Sequence, residues 1–131
     1  MTAIPPACSI PAVDLAARLK MARQQLLSCA ADLKERQEPA HEPRFAYRLE
    51  NGPVVMRLVA DPPNLFLHFS EGARLADPRG LLRGAGRRGR YVCLGAVRAE
   101  DQPAVSALIA AAMAAARATE IDIDHQPGAT A

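Results

Sequence analysis

Asn51-Gly52 sits between two runs in which apolar and polar residues alternate, and no other feature constrains the fold of this 131-residue chain as tightly. Residues 44–50 set Phe45, Tyr47 and Leu49 on one face against Ala46, Arg48 and Glu50 on the other. Residues 53–60 set Val54, Met56, Leu58 and Ala60 against Val55, Arg57 and Val59. Alternation with period two is the mark of a strand with one buried face, and Asn-Gly is the strongest short hairpin signal. A two-residue loop puts Leu49 opposite Val54, Tyr47 opposite Met56 and Phe45 opposite Leu58. Directly opposed residues share a face, so pattern and turn agree on one register.

A second turn follows at Asp61-Pro62-Pro63-Asn64. Taken as a four-residue loop, it sets Ala60 against Leu65, Leu58 against Leu67 and Met56 against Phe69. The other face of this three-stranded meander then carries Arg48, Glu50, Val55, Arg57, Val59, Phe66, His68 and Ser70, with Arg57 directly opposite His68. Tyr91 to Val97 reads as a fourth strand. Both of its faces are apolar, so alternation does not orient it.

Helical periodicity brackets the meander. Leu15, Leu19, Ala22, Leu26, Cys29 and Leu33 recur at spacings of three and four, which predicts a helix over 11–38 that Pro39 stops. Val105, Leu108, Ile109, Ala112, Met113 and Ala116 predict a second helix. It starts at Asp101 or Gln102 with Pro103 in the first turn, and Arg117 falls in its last turn. Two amphipathic helices need a common apolar surface, and an antiparallel sheet supplies one. The expected fold is α+β, a two-layer sandwich. An antiparallel sheet of four to five strands carries the N- and C-terminal helices on one face, in the order α-β-β-β-β-α. Residues 1–10 are expected to be a flexible N-terminus, 11–118 a single domain and 119–131 a flexible C-terminal tail.

Composition excludes several classes. The formal net charge is only +2, which gives no strong pull toward anionic membranes or nucleic acid. No apolar run reaches the roughly 20 residues of a membrane-spanning helix, and residues 1–12 lack the pattern of a signal peptide. Cys8, Cys29 and Cys93 are odd in number and far apart, so neither a disulfide framework nor metal-ligand spacing is present. Cys29 and Cys93 are expected to be small buried apolar residues. The expected compartment is the cytoplasm.

Between the third strand of the meander and Tyr91 lies a long connection. It holds glycines 80, 84, 86 and 89 and six arginines (74, 79, 83, 87, 88 and 90) against two acids, Glu71 and Asp77, a local charge of +4. The motif runs His68-Phe69, Glu71-Gly72-Ala73-Arg74-Leu75, Asp77-Pro78-Arg79-Gly80-Leu81-Leu82, then Gly84-Ala85-Gly86-Arg87-Arg88-Gly89-Arg90-Tyr91-Val92. Over residues 64–97 it resembles the YdhG-like family of small bacterial domains of unknown function. The resemblance implies a small α+β sandwich similar in outline to frataxin. It also raises an intracellular iron-chaperone role, proposed for some members. No catalytic residues are established for that family, so none carry over.

Glycine-rich backbone with arginines can bind phosphate or carboxylate. The expected ligand- or anion-binding residues are Arg57 and His68 on the sheet, with Arg74, Arg79, Gly84, Gly86, Arg87 and Arg88 in the loop. The glycine spacing matches neither the phosphate-loop motif nor the dinucleotide fingerprint. No nucleophile motif is present, so no catalytic residue, enzyme activity or cofactor is expected. Iron would need a cluster of oxygen ligands. Asp32, Glu35, Glu38 and Glu42 cluster only loosely at the expected end of the first helix, and Glu120, Asp122 and Asp124 alternate near the C-terminus, so no metal site is assigned. The loop arginines lack interleaved aromatics, so nucleic acid is not an expected partner. The expected function is a non-enzymatic binding or interaction module that uses the loop 71–90 and the open sheet face toward a small anionic ligand or a protein. The alternative is metal handling of the iron-chaperone kind. A weak homodimer through Val55, Val59 and Phe66 is one expectation for the outer face, and the loop folding back over it is the other.

Overall fold

The alternating runs become the centre of an open six-stranded antiparallel sheet in the computed structural model, which describes residues 9–124. The parts of the two expected flexible termini before residue 9 and after residue 124 lie outside the described residues. Helix α1 (Ala12–Cys29) precedes the sheet. Strands β1 (Leu33–Gln37), β2 (Arg44–Leu49), β3 (Val54–Asp61) and β4 (Asn64–Phe69) follow as a meander. The long connection contributes a two-residue strand β5 (Leu82–Arg83), and β6 (Arg90–Cys93) returns between β4 and β5. Helix α2 (Gln102–Asp124) follows. The spatial order is β1-β2-β3-β4-β6-β5.

The central register is the one the alternation demands. Phe45 opposes Leu58, Tyr47 opposes Met56, Leu58 opposes Leu67 and Met56 opposes Phe69. All of these are buried, together with Val92 of β6 and the α2 stripe Val105, Leu108, Ile109, Ala112 and Met113. Both helices pack on this face, which makes the fold the two-layer α+β sandwich. Gln25 Nε2 of α1 donates to Ser106 Oγ of α2 at 3.2 Å, and Arg117 pairs with Asp32 at 2.6 Å.

The turns differ in detail. A bulge between Tyr47 and Arg48 brings Arg48, not Leu49, opposite Val54. The turn is Leu49 to Gly52, with Gly52 N–H donating to Leu49 O at 2.9 Å and Asn51 at φ 61°. Asn51, one of the few non-glycine types that tolerates this left-handed region, thus takes the strained position. At the second turn Asp61 and Asn64 also pair, so Pro62-Pro63 alone forms the loop.

The larger correction is at the first helix. It ends at Cys29 rather than 38, and the segment expected to be its last turns is the edge strand β1. Leu33 still reaches the core, as the spacing anticipated, but from a strand opposite Leu49. Glu35, on the same face, meets Tyr47. Tyr47 Oη donates to Glu35 at 2.6 Å, and the Arg23 guanidinium donates to both Glu35 oxygens at 2.7 and 3.1 Å. Arg23 also lies 4.3 Å over the Phe45 ring. The hydrogen bond from Arg23 holds the Glu35 carboxyl below its ordinary range, and burial first, then Glu35, pushes the Tyr47 phenol up.

Cys29 is exposed at the helix end instead of buried, while Cys93 is buried. Ile10, expected in the N-terminal tail, is 2% exposed and donates its N–H to Pro63 O. The expected fourth strand stops at Cys93, and Leu94–Ala96 turns into a short 3-10 helix. Helix α2 runs on to Asp124, so Arg117 is not in its last turn.

Candidate functional site: the outer face of the sheet

The face away from the helices is where the chemistry concentrates. Strand parity puts Ala46, Arg44 and Arg48 of β2, Arg57 and Val59 of β3, Phe66 and His68 of β4, and Tyr91 and Cys93 of β6 on that side. From β1 it adds Lys34 and Arg36, opposite Arg48 and Ala46. A concavity of about 660 Å³ opens there, lined by Glu38, Pro39, Arg44, Arg57, Val59, Asp61, Phe66, His68 and Tyr91.

Small and large residues shape it. Ala46 is fully buried beneath longer neighbours, and Arg57 passes over its strand to reach Glu38. Arg57 Nε donates to Glu38 Oε1 at 2.9 Å, and Nη2 to Oε2 at 3.4 Å. That pairing holds the Glu38 carboxyl below its ordinary range. Arg44, by contrast, is exposed, and its side chain has no hydrogen-bonded or ion-paired partner among the described residues. On the apolar side, Phe66 opposes Val59 and meets Tyr91 edge-on, with ring centroids 5.3 Å apart.

His68 lies between these halves, opposite both Arg57 and Tyr91. Burial first, then the charges of Arg57 and Arg44, depress its pKa, so the ring is neutral at pH 7. The backbone of Gly89 lies against this ring: a Cβ there would stand 2.7 Å from Nε2, so a larger residue would have to displace the imidazole. His68 has no hydrogen-bond partner among the described residues.

Of the expected site residues, the fold brings together Arg57 and His68 and leaves the loop set elsewhere. Arg79 is committed to Asp101, a 6%-exposed carboxylate before α2, at 2.8 and 3.1 Å. This pair pins the loop to the start of the helix. Arg74 is exposed, 3.8 Å from Glu71. Arg87 and Arg88 are exposed, Gly84 takes φ 112° at a bend, and Gly86 faces open space. Asp77 accepts from the N–H groups of Leu81 and Leu82, while Arg83 and Arg90 donate to loop carbonyls. Three of the loop's six arginines, Arg79, Arg83 and Arg90, are thus tied into its own architecture, and no residue of 71–90 lines the concavity.

No protein-family model, curated protein or solved structure matches the chain. The site accordingly rests on its own geometry. Arg44 is the residue that sequence reasoning missed; its parity with Ala46 and Arg48 was the available signal. The acids considered for iron are dispersed: Asp32 pairs with Arg117, Glu35 faces the core, and Glu38 faces outward to Arg57. Among the described residues no group of three or more His, Cys, Asp or Glu side chains could hold a metal ion. Glu120, Asp122 and Asp124 lie at the end of α2. No described helix is long and apolar enough to cross a membrane.

Proposed function

We propose that the chain is a non-enzymatic binding module of the YdhG-like kind, whose outer sheet face takes a ligand that joins a negative group to a flat apolar part. The supporting observation is the concavity itself. It gathers Arg44, which has no hydrogen-bonded or ion-paired partner among the described residues, and Arg57 in one lining with Val59, Phe66 and Tyr91, alongside the carboxylates of Glu38 and Asp61. A fork of guanidinium donors suits carboxylate or phosphate, and an aromatic wall suits a ring. Arg57 is half-neutralised by Glu38, so Arg44 supplies most of the attraction, and Arg57 fixes orientation.

Calorimetric titration with phenyl phosphate tests this reading. Wild type binds weakly, and Arg44→Gln lowers affinity about tenfold, the loss of one charge-assisted contact of about 1.4 kcal/mol. Arg87→Gln, in the loop, leaves affinity unchanged. Equal losses from both substitutions, or no heat at millimolar ligand, would overturn it.

A further inference from the structure

The concavity is one end of a larger charged surface. Beyond Arg44, the outer side of β1 and β2 carries Lys34, Arg36 and Arg48, and none of the four has a hydrogen-bonded or ion-paired partner among the described residues. Lys34 and Arg48 are directly opposed across the two strands. Like charges placed so are destabilising in an isolated sheet, so this pairing is a cost that an anion on the surface would relieve. Residues two apart on a strand stand about 6–7 Å from one another, so these cations form a track along the sheet edge. The aromatic rings lie to one side of this track, on β4 and β6, two to three strand spacings from β2, or roughly 10–14 Å. That is the span from a phosphate across its sugar to the far side of the base.

Resting on the outer-face reading above, we propose that the ligand is a single-stranded nucleic acid, its phosphates following Lys34, Arg36, Arg48 and Arg44 and its bases lying against Phe66 and Tyr91. A cationic track flanked by aromatic rings is the arrangement by which sheet faces hold unpaired bases without reading their sequence. A duplex does not fit, because its bases are stacked inside and unavailable to the two rings. A second copy of the chain is a poorer occupant, since it would set one cationic face against another. The loop arginines gave no such indication in the sequence, because the aromatics that complete the surface come from strands 18 to 57 residues further along than the track.

Fluorescence anisotropy with a labelled twelve-nucleotide oligothymidylate tests the proposal on the full chain. Binding should be measurable in low salt and weaken with a log–log salt slope of about −2 to −3, for three to four neutralised phosphates on a single strand. Arg48→Glu should weaken it at least tenfold. Phe66→Leu, which keeps an apolar side chain at a half-buried position, should weaken it about five- to tenfold at every salt concentration, because stacking is not screened. Oligouridylate should compete within a few-fold, and the matching duplex poorly. Equal binding of duplex, an undiminished Phe66→Leu variant with wild-type melting, or a strict requirement for the ribose hydroxyl would overturn it. No oligonucleotide binding alongside intact, Arg44-dependent binding of phenyl phosphate would also overturn it, while leaving the outer-face reading in place. Sedimentation in the same buffer excludes self-association as the source of the signal: a dimer lost in Phe66→Glu would contradict the proposal.

Discussion

The two faces of β3 and β4 are built from adjacent residues and obey different rules. On one side Met56, Leu58, Leu67 and Phe69 are almost wholly excluded from solvent beneath the helices. On the other, Arg57 and His68 face each other across the same strands, half-exposed, beside Val59 and Phe66. The inner face is satisfied: apolar residues meet apolar residues, and its charged group, Glu35, is held by both Arg23 and Tyr47. The outer face is not. It pairs Arg57 with Glu38 but leaves Lys34, Arg36, Arg44 and Arg48 without a hydrogen-bonded or ion-paired partner among the described residues, beside the half-exposed rings of Phe66 and Tyr91, and that difference is the ground of the binding proposal.

The comparison breaks most forcefully at the core. Leu67→Ala should cost about 2–5 kcal/mol of stability by chemical denaturation, the range for a buried leucine, while leaving outer-face affinity unchanged in the folded fraction. A cost near zero would mean that the two faces have been confused. Tyr47→Phe should cost about 1.5–3 kcal/mol, since it removes a 2.6 Å hydrogen bond to an ionised carboxylate and leaves Arg23 as the remaining donor to Glu35.

A gentler effect comes from pH. The folded pKa of His68 lies below its ordinary value, so the unfolded chain takes up the proton first as pH falls. Its contribution to stability is therefore whole above about pH 6.5 and declines below that, down to the depressed folded value. His68→Gln should flatten the stability profile in this window, as measured by melting temperature across a buffer series. The depressed carboxylates Glu35 and Glu38 act lower, below about pH 4.3, and remain in the variant. The smallest effect sharpens the comparison most. Arg48→Ala should stabilise the fold by a few tenths of a kcal/mol, because it relieves the opposed Lys34. A loss of stability there would show that the outer cations serve the fold.

How much of this was legible depended on whether local pattern and tertiary demand agreed. The meander was legible because period-two alternation and turn chemistry specified the same pairs, down to Arg57 opposite His68. β1 was not. Leu33-Lys34-Glu35-Arg36-Gln37 are all good helix formers, and Leu33 continues the helical spacing from Leu26. The free edge of β2 outweighs that propensity: it pairs the β1 backbone and gives Leu33 and Glu35 an inner face to occupy. Charge at an edge strand also discourages sheet-to-sheet association, a second role that the helical pattern does not reveal. The site was half legible for a related reason. Counting arginines located the loop, but not that Asp101 and loop carbonyls had already claimed Arg79, Arg83 and Arg90. Arg44, the first residue of its strand and far in sequence from Tyr91, joins that ring only through the sheet order.

The central claim is that binding belongs to the outer face and not to the basic loop. Two-dimensional NMR of the labelled protein during titration with phenyl phosphate tests it most directly. The account predicts shifts concentrated at Arg44, Arg57, Phe66, His68 and Tyr91, with the backbone of residues 74–88 and the inner-face residues Leu58 and Leu67 unmoved. Shifts centred on Arg74, Arg87 and Arg88, with the outer face silent, would contradict it.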